Sequence, residues 1–170
     1  MALVKTVYLS LGSNLGDRRA NLARAIELLG ESGARVLRTS SIFETEPMYL
    51  TAQPRFFNLI VEAETALFPR QLLSAARSVE KAVGRKPGAR NGPRVIDIDI
   101  VLFAKSVVNL PGLAIPHPRM AERRFVLEPL AELAPDLRHP VTRRTVREML
   151  AEVMDQTVRK TTAPDVSPGT

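Results

Sequence analysis

A chain of 170 residues with 45% apolar and 25% charged side chains can bury one sizeable core and is too apolar to be disordered throughout. It has no cysteine, which excludes disulfide staples, thiolate nucleophiles and cysteine-based zinc sites. The formal charge is +6 and arginine supplies 19 of the 24 basic residues, so nucleic acid, an anionic surface and phosphorylated small ligands stay open as partners until those arginines are placed.

No apolar run reaches membrane-spanning length, and the first seven residues lack a basic region followed by an apolar stretch, so a soluble, cytoplasmic protein is expected. Residues 6–12 alternate and read as a strand. Gly12-Ser13-Asn14-Leu15-Gly16-Asp17 follows as a turn with Asp17 as a helix N-cap. This turn has neither the Gly-Lys-Ser/Thr ending of a P-loop nor the spacing of a dinucleotide fingerprint. Leu22, Ala25, Ile26 and Leu29 recur at helical spacing, with Gly30 and Gly33 as stop signals. Residues 36–45 read as a second strand, and the proline-bracketed segment 46–54 as a loop. Residues 56–65 form a third strand with Phe57, Leu59, Val61 and Ala63 on one face and Asn58, Ile60, Glu62 and Glu64 on the other. Pro69 opens a second helix striped by Leu72, Ala76, Val79 and Val83, and Gly84 ends it.

A basic, glycine- and proline-rich loop over residues 85–94 then leads into Val95-Ile96-Asp97-Ile98-Asp99-Ile100-Val101-Leu102-Phe103. Alternation puts Val95, Asp97, Asp99, Val101 and Phe103 on one face, with Ile96, Ile98, Ile100 and Leu102 on the other. Lys105-Ser106 reads as a hairpin turn into Val107-Val108, residues 110–118 as irregular, and residues 120–133 and 143–154 as closing helices. Residues 156–170 are polar and read as a disordered tail, leaving a single domain over residues 1–155. The order strand, helix, strand, strand, helix, strand is that of an α+β, ferredoxin-like βαββαβ core whose two helices cover one face of a mainly antiparallel sheet.

Asp is depleted in strands, yet two stand one pleat repeat apart, roughly 7 Å between Cα atoms. Such a pair repels itself unless a cation sits on it, and Mg²⁺ takes one or two carboxylates and completes its shell with water and phosphate oxygens. Arg90 and Arg94 just upstream carry the fork that suits phosphate. Together these are the parts needed to move a phosphoryl group from a nucleotide. The plain alternative is a strand with a wet face.

The segment Arg90-x-Gly92-Pro93-Arg94-x-x-Asp97-x-Asp99 closely resembles the signature of 6-hydroxymethyl-7,8-dihydropterin pyrophosphokinase. Gly12-Ser13-Asn14-Leu15-Gly16, Glu44-Thr45-Glu46-Pro47, Gln53-Pro54 to Asn58, Glu80 to Arg85, and Pro116-His117-Pro118-Arg119-Met120 to Phe125 are similar in the same order. The likeness spans residues 4–150. It implies the ferredoxin-like fold and a reaction in which the pterin hydroxymethyl oxygen attacks the β-phosphorus of MgATP, releasing AMP. By the same resemblance Asp97 and Asp99 hold two magnesium ions, and Arg85 and Arg94 engage the phosphates. It places Arg77, Glu80, Ile100, His117 and Arg123 around ATP. Phe56 and Phe125 stack the pterin, Thr45 and Asn58 read its amide edge, and Met48 lies in the same loop. Arg77 stands where Gln is common in the family, Glu46 where Pro is, and Asn91 and Pro118 where some members carry Trp and Tyr.

The loops 46–54 and 85–94 are expected to close over bound substrates and keep water from the activated phosphorus. The expected partners are these small molecules, with no nucleic acid and no membrane, and the chain is read as a monomer. Two rivals share parts of the pattern. A nucleotide cyclase or polymerase-palm enzyme also sets an Asp pair on ferredoxin-like strands. An RNA-binding ferredoxin-like module would suit the basic charge, but the third strand lacks the Lys/Arg-Gly-Phe/Tyr pattern and the acids would repel a phosphate backbone.

Overall fold

The computed structural model describes residues 3–46, 52–88 and 92–161; Met48, Arg90 and Asn91 lie outside them. In chain order its first half runs β1 (Lys5–Ser13), α1 (Arg18–Glu31), β2 (Ala34–Thr39), β3 (Phe43–Thr45), β4 (Phe56–Thr65) and α2 (Pro69–Val83). The second half runs β5 (Asp97–Phe103), β6 (Val108–Leu110), β7 (Leu113–Ile115), a 3-10 turn at Met120–Glu122, α3 (Arg124–Leu133), α4 (Val146–Ala151) and β8 (Val158–Lys160). The sheet order is β5-β1-β4-β3-β8, with β2 sharing the β4 edge, and every pairing is antiparallel.

Alternation decides the layers. Val7, Leu9 and Leu11 of β1, Leu59, Val61 and Ala63 of β4, and Ile98 and Ile100 of β5 pack on α1 and α2 in one core. The helices answer with Leu22, Ala25, Ile26 and Leu29, and with Leu72, Ala76 and Val79. The Asp17 carboxylate caps α1, accepting from the Ala20 N–H at 3.0 Å, and Gly84 closes α2 at φ 122°. This is the expected α+β arrangement.

The opposite face is not left wet. Tyr8, Ile60, Val101 and Leu102 form a second core with Val126, Leu127 and Leu130 of α3 and Val146 and Met149 of α4. Glu62 on this face is buried but neutralised. It accepts from the Tyr8 hydroxyl at 2.6 Å and from both prongs of Arg38 at 3.0 and 2.8 Å. That fork holds its carboxyl below the ordinary range, and Arg38 also reaches the Leu133 carbonyl at 3.1 Å, tying the sheet to the end of α3.

Several boundaries differ from the sequence expectation. The single strand over 36–45 is two, parted at Ser40, whose hydroxyl takes the Ile60 N–H at 2.9 Å in place of a ladder partner. Gly30 lies inside α1. β5 starts at Asp97 instead of Val95. A bulge then sets Tyr8 opposite Leu102 but Leu9 opposite Ile100, so Val101 is the extra residue. It returns Leu102 to the Asp face and sends Phe103 to the α1–α2 core, the reverse of strict alternation. β6 does not fold back on β5; it pairs with β7 inside the segment read as irregular. The last helix is shorter than expected because residues 138–145 form a tight hairpin, held by His139 Nδ1 accepting from the Val141 and Thr142 N–H groups at 3.2 Å. The tail read as disordered from Gln156 instead places β8 on β3, and the Thr161 N–H reaches the Ile42 carbonyl at 2.9 Å. Residues 162–170 lie outside the described residues. No helix among those described is long and apolar enough to cross a membrane.

Candidate active site

α3 and α4 cover only the end of the second face that carries Tyr8, Ile60 and Leu102. Further along the same strands the face bears Ser10, Gly12, Asn58, Asp97 and Asp99, and these floor a cavity of about 270 Å³. Its remaining lining comes from Thr45, Glu46, Gln53, Phe56, Arg94, His117, Arg123 and Phe125. The expected metal pair and those expected pterin residues that are described therefore share one hollow.

Register explains the floor. Asp97 sits opposite Gly12 and Asp99 opposite Ser10, so β1 offers its smallest side chains where β5 presents its acids. Asp97 accepts from Arg85 Nη1 at 2.9 Å, and Arg94 Nε lies 3.7 Å from its other oxygen. Asp99 makes no hydrogen bond or ion pair with a described residue. Burial, and then repulsion from Asp97, pushes its carboxyl up to about 6. A carboxylate with no contact ion pair, beside a second one, fits a hard divalent cation. Among the described residues no three acid, His or Cys side chains are grouped closely enough to hold one metal ion, so the remaining ligands would be water or phosphate, as Mg²⁺ accepts.

Two arginine nitrogens extend the same theme. Arg94 Nε and Arg123 Nε are buried and make no hydrogen bond to a described residue, which leaves both donors open to an acceptor. His117 is placed by the bulge, since its N–H donates to the Val101 carbonyl at 2.9 Å. Its Nδ1 accepts from the Arg119 N–H at 3.1 Å, so a neutral ring carries its proton on Nε2. Burial, followed by the charge of Arg123, lowers its pKa to about 4. We expect a ¹⁵N-imidazole titration to show neutral His117 with protonated Nε2 down to about pH 5, and no activity limb from this residue near its ordinary 6.5. An imidazolium signal at neutral pH would contradict that environment.

The amide of Asn58 is oriented by donation to the Thr45 hydroxyl at 2.7 Å. Its carbonyl lies over Gly12, where a Cβ would stand 2.8 Å from Oδ1. Gly12→Ala should turn that amide and weaken binding of any ligand it reads by roughly tenfold, while costing under about 1.5 kcal/mol of stability. Paired ligand titration and thermal melting check both numbers.

The residues expected around ATP divide. His117 and Arg123 line the cavity with the acids, whereas Arg77, Glu80 and Arg85 line a second hollow of about 610 Å³ bounded by Lys81, Lys86 and Pro93. Arg94 lines both. Glu80 is buried and committed to protein groups: it accepts from the Ile98 N–H at 2.8 Å, Arg85 at 2.7 Å and Arg77 at 3.0 Å. Arg77 also donates to the Ile98 carbonyl at 2.9 Å. The two side chains thus satisfy the open edge of β5 as a neighbouring strand would. Ile100 has its side chain in the core, so only its backbone can face a ligand. Ser10, Gly12 and Gln53 are cavity residues to which sequence reasoning gave no role. Asn14 also went without one. It is buried, donates to Gln53 Oε1 at 2.8 Å and the Pro54 carbonyl at 3.0 Å, and accepts from the Arg94 N–H at 2.8 Å.

A ferredoxin-like antiparallel sheet whose acid pair, arginines and two phenylalanines line one hollow defines the class as an α+β domain with a charged, aromatic-lined site. The family described as 7,8-dihydro-6-hydroxymethylpterin-pyrophosphokinase (HPPK) matches residues 8–135, and the chain belongs to that family. It is 42% identical over 155 residues to the "Folic acid synthesis protein fol1" of Pneumocystis carinii, covering 91% of this chain and 21% of that protein. It is 40% identical over 147 residues to the "2-amino-4-hydroxy-6-hydroxymethyldihydropteridine pyrophosphokinase" of Aquifex aeolicus, covering 86% of this chain and 91% of that one. The chain thus spans about a fifth of the fungal relative and most of the bacterial one. A crystal structure of Plasmodium falciparum HPPK-DHPS superposes with a TM-score of 0.73 at 17% identity, over 91% of this chain and 46% of that one, a likeness of fold.

Proposed function

We propose that this chain transfers a diphosphoryl group from MgATP to the hydroxymethyl oxygen of 6-hydroxymethyl-7,8-dihydropterin, giving the pterin diphosphate and AMP. The observation that carries the reading is one hollow that gathers Asp97, Asp99, Phe56 and Phe125 with Arg94 and Arg123, whose Nε atoms make no hydrogen bond to a described residue. Family membership favours it over the cyclase and RNA-binding rivals.

In this proposal Phe56 and Phe125 hold the flat pterin by stacking, and Asn58 and Thr45 complement its amide edge. Asp97 and Asp99 hold two magnesium ions, which when bound neutralise charge on the attacking and leaving oxygens of an in-line displacement. Arg94 and Arg123 offer their unpaired donors to phosphate oxygens. Arg85 sits between Glu80 and Asp97 and is placed to engage the triphosphate from the second hollow. Neutral His117 donates from Nε2. Positioning and electrostatics then supply the rate, with no covalent step on the protein. The nucleotide spans the two hollows across Arg94, which lines both. We read the acting unit as a cytoplasmic monomer.

Incubation with MgATP and the pterin alcohol, followed by chromatography, should yield AMP in equal amount to pterin consumed. Formation of ADP, or of AMP without loss of pterin, would sink the reading.

A further inference from the structure

We propose that Arg18, which lies outside the cavity, is a positioning residue for its aromatic-and-amide wall. The inference rests on the pterin reading above. Thr45, Phe56 and Asn58 face the cavity from β3 and β4. Because side chains alternate, Glu44 and Phe57, which are paired across the two strands, project from the reverse side. Arg18 meets that reverse side at three points. Its Nη1 lies 3.2 Å from Glu44 Oε2 and donates to the Arg55 carbonyl at 3.0 Å, while its guanidinium lies 3.7 Å from the centre of the Phe57 ring. Each contact falls on a residue next in sequence to one that lines the cavity: Glu44 beside Thr45, Arg55 beside Phe56, Phe57 beside Asn58.

Arg55 carries the clamp onward, pairing with Glu44 at 3.5 Å and with Glu46 at 2.9 Å. The two ends of the 46–55 segment are thereby held together at the rim of the hollow. The placement of Arg18 runs against helix energetics. It is the first residue of α1, whose first turn holds no acid, and a cation there opposes the helix dipole by a few tenths of a kcal/mol or more. An arginine at that position needs an offsetting partner, and the planar fork stacked on Phe57 and bonded to Glu44 supplies one. Lysine has the charge without the fork or the flat face.

The test measures two affinities on full-length protein: the pterin alcohol in the presence of magnesium and a nonhydrolysable ATP analogue, and that analogue alone. Arg18→Met should raise the pterin Kd roughly tenfold, equivalent to about 1.4 kcal/mol, and leave the analogue's Kd within about twofold. Arg18→Lys should recover only part of the loss, and Glu44→Gln added to Arg18→Met should cost little more, since both break one clamp. Amide exchange over residues 43–46 and 55–58 should quicken in the same variants. An unchanged pterin Kd, or equal weakening of both ligands, would overturn the role. A wild-type protein that binds no pterin would overturn the proposed function and this inference with it, whereas wild-type binding matched by the variants would overturn the inference alone.

Discussion

Replacing Asp99 by Asn is expected to abolish turnover and, at the same time, to make the metal-free protein more stable near neutral pH. The carboxyl has its folded pKa raised from 3.8 to about 6 by burial and by Asp97. Well below pH 3.8 folded and unfolded chains both hold the proton, and the residue costs nothing. As pH rises towards 6 the unfolded chain releases its proton first, so folding is penalised, and above about 6 the penalty is complete. A rise of that size corresponds to roughly 3 kcal/mol, about 5–10 °C in Tm for a chain of this length. Asn imitates the protonated form and escapes the cost. The gain of D99N over wild type should therefore vanish well below pH 3.8, grow as pH rises from there, and be largest above about pH 6.5. Magnesium should raise the wild-type Tm at high pH and raise that of D99N less. Turnover should fall by at least about 10³-fold, because a charge that organises phosphate is lost along with the stored repulsion. A variant no more stable than wild type at any pH would contradict the buried-charge account, and retained turnover would contradict the assignment of Asp99 to the reaction.

This combination, stability given up for a charge at the site, also explains why Asp97 and Asp99 were legible from sequence. They violate strand propensity, and the arginines just upstream mark the charge as meant for a site. β4 and the two helix stripes were legible for the opposite reason, since period, composition and caps agree there. The bulge at Val101 was not, because an extra residue in β5 leaves no mark on the alternation; it shows only through its partner strand. Yet the bulge presents the carbonyl that seats His117. The second helical layer was hidden likewise: Ile60 and Val101 looked like apolar residues on a polar face until α3 and α4 covered them. β8 is three residues long and gains its order from pairing with β3, which local composition cannot report. Glu80 was traced to the nucleotide by resemblance, but its carboxylate is spent on the β5 edge, a distinction that only hydrogen-bond partners reveal.

Asn14 is the most consequential residue to which the sequence assigned no role, since Gly12-Ser13-Asn14-Leu15-Gly16 was matched as a segment and read as a turn after a strand. Replacing it by Ala should be the most damaging change outside the acids. The side chain is 1% exposed and joins three segments. Both amide hydrogens go to the 52–55 stem, at 2.8 Å to Gln53 and 3.0 Å to Pro54, and the carbonyl takes the Arg94 N–H at 2.8 Å. Its backbone N–H adds a bond to the Arg94 carbonyl at 3.2 Å. Truncation removes the Asn14 contacts of the Arg94 N–H, the Pro54 carbonyl and Gln53 Oε1, all part-buried, at about 1–3 kcal/mol for each group that neither water nor another partner then satisfies. We expect a stability loss of roughly 2–4 kcal/mol and a fall of about 10²-fold in kcat/KM for the pterin and for ATP alike, since one clasp serves both walls. Asn14→Asp separates the two. It keeps the acceptor for Arg94 but loses both donors and sets a negative charge against two oxygens. Pterin KM should therefore rise by an order of magnitude or more, and ATP KM by less than about threefold. Steady-state kinetics with each substrate varied in turn reads the split. Equal effects of Asp on both substrates would mean that the two loops do not meet at Asn14 as independent contacts, and a fully active Ala variant would remove the clasp from the site's architecture.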